Sequence, residues 1–296
     1  MSAKRPCIVV VTYRCPEMVR DCLRSLIEDG WLDARSHADS RAQVVVVDMD
    51  SGDDTVRVVR EEFPGAKLIP HEENLGFAGG TNIGLAHSEG GHALLLNPDT
   101  VAPPGSIAAL LDYLEAHPEA GAVGPRLICH DGSPQISTQR FPSLRTEFAR
   151  QCEPIARRIG VSELGDEQPS AAGRVDWISG ACLLIRDQTL EQVGPLDDGF
   201  FLYFEETDWC RRASSGGWEV HHLPNVDVVH VGGQSAAASG EEVRGGRSHR
   251  HFVDSRKRYF KKHHGALTAL AVEGVHQVRS IWRGTLRALG RRERAA

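Results

Sequence analysis

The sequence predicts an α/β fold, a mostly parallel central sheet flanked by helices, with a basic helical segment appended at the carboxyl end. Three observations carry that expectation. Two continuous β-branched runs, Cys7 to Thr12 and Gln43 to Asp48, have the uniformly apolar character of strands buried on both faces. Between them Met18, Val19, Cys22, Leu23, Leu26 and Ile27 recur at helical spacing, which completes a βαβ unit. Charge is also split along the chain. The formal net charge is −6, yet the residues from Arg244 onward hold 14 Lys and Arg against 3 Asp and Glu, and those before it 20 against 37.

The remaining elements follow in order. Val56, Val58, Val59 and Phe63 predict a helix over 55–63, Ala66 to Ile69 a short strand, and Gly79 to His87 a further helix. His92 to Leu96 predicts a strand ending at Asn97-Pro98-Asp99, and after Pro103-Pro104 a helix runs from about Ser106 to Ala116 with Ile107, Leu110, Leu111 and Leu114 on one face. Asp131 to Gly173 is polar and without a period, so it reads as long loops with a short helix near Leu144 to Ile159. Order returns over Asp176 to Ile185, followed by a helix near Asp187 to Val193. An aromatic and acidic segment, Phe200 to Trp209, then leads to a strand ending at Asp227-Val228-Val229-His230. From about Glu241 the chain is basic and helical.

Composition narrows the class. With 296 residues, 41% hydrophobic and 25% charged, the chain is long enough for a sizeable core and is neither disordered nor fibrous. Its acidic balance argues against nucleic acid as partner. Seven scattered cysteines with no C-x-x-C pair exclude a disulfide framework or structural zinc, which points to reducing cytoplasm. The sequence opens without the apolar run of a signal peptide, and no window reaches the roughly 18 apolar residues of a membrane span.

Four groups of residues carry chemistry. Asp48 and Asp50 follow the second strand at its carboxyl end, where open α/β sheets bind ligands; equally, Asp48 to Asp54 reads as an acidic turn with Asp54 capping the next helix. Asn74 to Gly84 contains Gly76, Gly79, Gly80 and Gly84, a density that suits backbone approach to phosphate and that a tight turn with close helix packing explains only at Gly76. Asp99 and His230, each at a strand end, could share Mg²⁺ or Mn²⁺, although a strand-end His is more often structural. Glu205, Glu206 and Asp208 lie among Phe200, Phe201, Tyr203, Phe204 and Trp209. Apolar surroundings raise a carboxylate pKa toward that of a general base, and the same residues suit a helix start.

Read together, CIVVVTY (7–13), VDMDSGD (47–53), NLGFAGGTNIG (74–84), LLLNPDT (94–100), VDWISGACLLIR (175–186), GPLDDGFFLYFEETDWCRR (194–212) and VDVVHVGGQS (226–235) closely resemble the inverting family 2 glycosyltransferases, in particular the bacterial rhamnosyltransferase-like subgroup, over residues 6 to 265. The resemblance implies a GT-A fold with a Rossmann-like sheet. It divides the chain into a glycosyltransferase domain at 1–240, with a nucleotide-binding half to about 100 and an acceptor half beyond, and a basic extension at 241–296. It also implies that Thr12, Tyr13, Asp48 and Asp50 line a nucleoside pocket and that Gly79, Asn82 and Asn97 face ribose and phosphates. Asp99 and His230 would bind the metal, and Glu206 would be the catalytic base. Trp177, Ser179, Gly180, Ala181, Glu205, Asp208 and Trp209 would surround the acceptor and the transferred sugar. Arg14 and Met49 stand where the family usually has Asn, and Asn97 replaces the first carboxylate of its D-x-D motif.

The implied function is metal-dependent transfer of a sugar, L-rhamnose from dTDP-rhamnose, to a lipid-linked or polysaccharide acceptor at the cytoplasmic face of the cell membrane. A UDP-sugar-dependent galactofuranosyl or hexosyl transferase is the alternative enzyme, and a silent nucleotide-sugar-binding scaffold the alternative of another class. The tail adds a partner independently of the resemblance. Ser255 to His264 clusters Arg and Lys beside Tyr259 and Phe260, and Val278 to Leu289 sets Ile281, Trp282, Leu286 and Leu289 among Arg279, Arg283 and Arg287. This pattern fits either an anionic membrane interface or packing on the catalytic domain.

Overall fold

The structure, a computed structural model, describes residues 4–151, 168–231 and 247–277. Its first part alternates strands and helices as the apolar runs require: β1 (Cys7–Thr12), α1 (Pro16–Glu28), β2 (Gln43–Met49), α2 (Thr55–Glu62), β3 (Lys67–His71), α3 (Gly76–Ala86) and β4 (Ala93–Leu96). There follow β5 (Thr100–Val101), α4 (Ser106–Ala116), β6 (Ala120–Ile128), β7 (Thr138–Gln139), α5 (Leu144–Gln151), β8 (Gly173–Val175), β9 (Trp177–Ile178) and β10 (Cys182–Ile185). The last elements are α6 (Asp187–Val193), α7 (Glu205–Ser215), β11 (Glu219–His230), α8 (Arg247–His264) and α9 (266–277).

The main sheet has the order β3-β2-β1-β4-β10-β6-β11-β5, with β8 added beside β11. β3, β2, β1 and β4 are parallel, as expected. Beyond them the sheet is mixed, because β10 runs antiparallel to both β4 and β6. Alternation sorts the side chains between two layers. Ile8, Val10, Val44, Val46, Leu94 and Leu96 join α1, α2 and α4 in one core, while Val9, Val11, Val45, Val47 and Leu95 face α3 and α7 in the other. Each large apolar side chain so buried contributes roughly 1.5–3 kcal/mol.

Three differences from the sequence expectation have physical reasons. Strand β6 has no counterpart among the elements the sequence predicts, because Gly121, Gly124 and Pro125 interrupt its apolar run. In the fold a Cβ at Gly124 would lie 2.2 Å from Ile178 Cγ2, and Pro125 sits where the β6–β11 register shifts, so its missing N–H is tolerated there. Helix α3 begins at Gly76 rather than Gly79, which moves the glycine cluster from loop into helix. Asp53 rather than Asp54 receives the Thr55 amide, at 2.9 Å, while Asp54 pairs with Arg57.

The expected short helix near Leu144 is present as α5; its expected extension from 152 to 159 lies outside the described residues. The basic segment docks on the fold. Tyr259 and Phe260 of α8 are fully buried with Phe200, Phe204 and Val272 of α9, forming a third core.

Candidate active site

Parallel strands place their carboxyl ends at one edge, and the functional candidates gather there. Thr12 and Asp48 are level in the β1–β2 register, Asp99 follows β4, and His230, at the end of β11, pairs with Thr100. Because β10 is antiparallel to β4, the segment Ser179 to Ala181 enters at the same edge, and the Asn97 amide donates to the Ala181 carbonyl at 2.9 Å. A Cβ on Gly180 would lie 3.4 Å from Phe77 and 3.5 Å from Glu206 Cβ, so the first turn of α7 closes the same space.

That turn is held in an unusual backbone. Tyr203 and Phe204 both adopt left-handed φ of 69°, which costs roughly 1–2 kcal/mol per non-glycine residue. Contacts from α8 and nearby residues hold it. Ser255 Oγ donates to the Leu202 carbonyl at 2.8 Å, Tyr203 shares a hydrogen bond with Ser248, Phe201 stacks on His251, and Phe204 packs on Phe252 and Tyr259. The turn presents Glu205, buried, and Glu206, half-buried. Each has one buried carboxylate oxygen without a partner among the described residues. Burial, and for Glu205 also the neighbouring charge of Glu206, pushes both carboxyls above the usual carboxylate range. The two carboxyls share a hydrogen bond that favours the proton on Glu205 and the charge on Glu206.

Across the site, His230 Nε2 lies 3.4 Å from Asp99 Oδ1, both on nearly buried side chains. Two ligands each about 2.1 Å from one ion and about 90–110° apart are separated by roughly 3.0–3.4 Å, so this pair fits a shared divalent cation. A second cluster, Glu119, Glu219 and His221, brings its ligand atoms within 4.8 Å at the opposite ends of β6 and β11. There Tyr113 and Glu219 bond the two ring nitrogens of His221, at 3.0 and 2.8 Å, and Arg174 reaches Glu219, so the cluster is a hydrogen-bonded ion-pair network.

Several expected site residues are engaged by neighbours within the fold. Asp48 is buried and accepts from Thr12 Oγ1 and the Ser51 amide, both at 3.1 Å, as well as from Ser51 Oγ; it holds the turn, and exposed Asp50 is the carboxylate that reaches solvent. Tyr13 stays half-buried beneath the Arg14 guanidinium. Asn82, expected near the ribose, clamps the Leu196 backbone through both ends of its amide, at 2.9 and 3.0 Å. The glycines of α3 serve packing at more than Gly76: a Cβ would meet Leu75 Cβ at 2.6 Å from Gly79, Val11 at 2.6 Å from Gly80 and Val9 at 2.4 Å from Gly84.

Trp209 is fully buried with its indole N–H on the Gly194 carbonyl, and Trp177 donates to the Arg140 carbonyl. Asp208, expected beside the acceptor, is fully buried and bound by His263, Lys262 and Arg212 at 2.7, 2.7 and 2.9 Å. Burial alone would raise its pKa, but these three hydrogen bonds outweigh it and bring it down to about 2. One residue the sequence did not single out joins the site: Gln135, within the stretch read as loop, contacts His230.

Residues 7–179 match the model of glycosyl transferase family 2. An N-acetylglucosaminyl-diphospho-decaprenol L-rhamnosyltransferase of Mycobacterium tuberculosis is 32% identical over 201 residues, which cover 63% of this chain and 66% of that protein. The chain thus spans just under two thirds of that relative. A galactofuranosyltransferase of Mycolicibacterium smegmatis is 26% identical over 86% of this chain and 79% of its own. Among solved structures, a mannosyltransferase from Pyrobaculum calidifontis in complex with GDP-Man and Mn²⁺ superposes with a TM-score of 0.56 at 19% identity, over 98% of this chain and 81% of that one. The fold is that of the GT-A glycosyltransferases.

Proposed function

Because the chain belongs to glycosyl transferase family 2, we propose that it transfers L-rhamnose from dTDP-rhamnose, with inversion, to a lipid-linked or polysaccharide acceptor in cell-envelope glycan synthesis. The observation that supports this reading most is the 32% identity to a protein named for adding L-rhamnose to N-acetylglucosaminyl-diphospho-decaprenol. Thr12, Tyr13 and Asp50 bound the nucleoside side of the site, Asn97 the diphosphate side, and Ser179 to Ala181 with Glu205 the sugar and acceptor. Glu206 takes the proton of the acceptor hydroxyl as that oxygen bonds to the anomeric carbon, and the bond to the diphosphate oxygen breaks with its electron pair leaving on the diphosphate. A single displacement inverts the centre. Asp99 and His230 would hold Mg²⁺ or Mn²⁺, whose charge would stabilise the departing diphosphate.

Incubation with dTDP-rhamnose, Mn²⁺ and a polyprenyl-diphosphate-linked N-acetylglucosamine should yield the rhamnosylated lipid, and excess chelator should stop it. Transfer from UDP-galactose but not from dTDP-rhamnose would replace the donor assignment with a UDP-sugar. Full transfer in chelator would remove the metal.

We also propose that the protein works peripherally at the inner membrane face. Among the described residues no helix is long and apolar enough to cross a membrane. Leu267 and Leu270, 84% and 69% exposed and three residues apart on α9, offer an apolar face next to a basic tail. The further apolar and arginine pattern at 278–289 lies outside the described residues.

A further inference from the structure

The ring of His230 is gripped from behind by one side chain. Gln135 Oε1 lies 2.8 Å from His230 Nδ1, and Gln135 Nε2 donates to the carbonyl of the same histidine and to Cys129 Sγ. The orientation of the amide follows from its surroundings, since a carbonyl oxygen and a sulfur facing Nε2 are both acceptors. Oε1 is therefore left to accept, and the imidazole nitrogen facing it carries the hydrogen. In a neutral ring the other nitrogen, Nε2, then presents its lone pair, and it is Nε2 that lies 3.4 Å from Asp99 Oδ1. Two electron-rich atoms at this distance repel unless a positive charge lies between them.

The backbone of Gln135 is itself well fixed. Its N–H donates to the Leu127 carbonyl of β6, a bridge joins Ile128 to Pro134, and Asp131 Oδ1 accepts from the Ser133 amide and hydroxyl to close the intervening turn. β6 is the direct neighbour of β11, which carries His230, so the hairpin and the histidine are set on adjacent strands of one sheet.

We propose that Gln135 is a positioning residue for His230: by accepting from Nδ1 and anchoring the histidine carbonyl, it holds the ring in the tautomer and orientation that direct Nε2 to a divalent cation shared with Asp99. The inference rests on the reading of Asp99 and His230 as metal ligands. Outer partners of this kind typically account for 10- to 100-fold in metal affinity.

The test is Mn²⁺ titration of the full chain, alone and with dTDP or UDP, following loss of the free-ion EPR signal, together with Co²⁺ absorption spectra as a report on imidazole ligation. Gln135→Leu, which keeps the bulk and removes both polar ends, should weaken Mn²⁺ binding by about 10- to 100-fold and alter the Co²⁺ spectrum. Gln135→Glu still accepts from Nδ1 but no longer donates to the His230 carbonyl, so it should bind Mn²⁺ more tightly than Gln135→Leu and keep the imidazole signature in the Co²⁺ spectrum. Parent affinity in Gln135→Leu would overturn the proposal. So would a loss in Gln135→Glu equal to that in His230→Ala, and this second variant decides the matter if the leucine variant does not fold. Asp99→Asn and His230→Ala separate the two levels. If both bind Mn²⁺ like the parent, the metal reading itself fails and the contact between Asp99 and His230 is an ion pair with protonated histidine; if both lose binding while Gln135→Leu retains it, only the role of Gln135 falls.

Discussion

One helix treats its carboxylates in opposite ways. At the start of α7, Glu205 and Glu206 face the candidate site with no cation paired to them among the described residues, and burial lifts both above the normal range. Within the same turn, Asp208 is gripped by Lys262, Arg212 and His263 and falls to about 2. Only the second arrangement contributes electrostatic stability. The first costs stability and yields a carboxylate suited to accept a proton near neutral pH, and pairs of titratable groups pushed apart in this way mark acid–base sites. Asp208 also ties α7 to α8 through Lys262 and His263, and α8 in turn buttresses the strained turn that presents Glu206.

The sharpest break of this comparison is Glu206→Gln. It should lower kcat for transfer by about 10² to 10⁴ while donor binding, measured by calorimetry, stays near the parent value. Near-parent turnover would move the base elsewhere and leave the raised carboxyls without a catalytic reading.

Asp208→Asn should cost about 1.5–3 kcal/mol at neutral pH, because the fully buried side chain loses its charge-assisted hydrogen bonds to the part-exposed Lys262 and Arg212. The folded pKa of Asp208 is depressed, so its stabilisation is complete above the unfolded carboxyl value of about 3.9 and is lost as pH falls through about 2. Urea unfolding of parent and variant should therefore converge between those values. A difference that persisted at the acid end would mean that packing, not charge, holds α7 to α8.

A smaller effect sharpens the roles of the two glutamates. Glu205→Gln still donates a hydrogen bond from a neutral group, as the protonated carboxyl does, so turnover should remain close to the parent. The acid limb of the kcat profile, which the raised Glu206 pKa places above that of an ordinary carboxylate, should stay where it is. A limb that moved to ordinary carboxylate pH would show Glu205 to carry charge.

The smallest expected effect concerns the tail. Leu267→Ser with Leu270→Ser should reduce co-sedimentation with anionic vesicles at low salt without changing stability, since both side chains are exposed. Equal recovery of parent and variant with anionic vesicles would leave α9 only its packing role through Val272.

Much of the fold was legible because its signals are local. The apolar runs of β1, β2 and β4 and the helical spacings of α1 and α4 announce their elements without reference to the rest of the chain. Strand β6 was hidden because its glycines and proline answer neighbours supplied by other segments: Ile178 presses on Gly124, and Thr189 and Trp218 on Gly121. Gly80 and Gly84 of α3 likewise answer Val11 and Val9, which stand on β1 and leave no trace in the local spacing.

By itself the sequence determined which residue types stand at the strand ends and beside the aromatics, so that Asp99, His230 and Glu206 could be named as chemistry-bearing groups. Which carboxylates are engaged and which are left facing the site was decided only by tertiary structure. Asp208 is occupied by His263, 55 positions away, and Asn82 by Leu196, 114 away; His230 is oriented by Gln135, 95 away. The physical reason is that a side chain's protonation and reach depend on partners within hydrogen-bond distance, and a composition or period records only its neighbours along the chain.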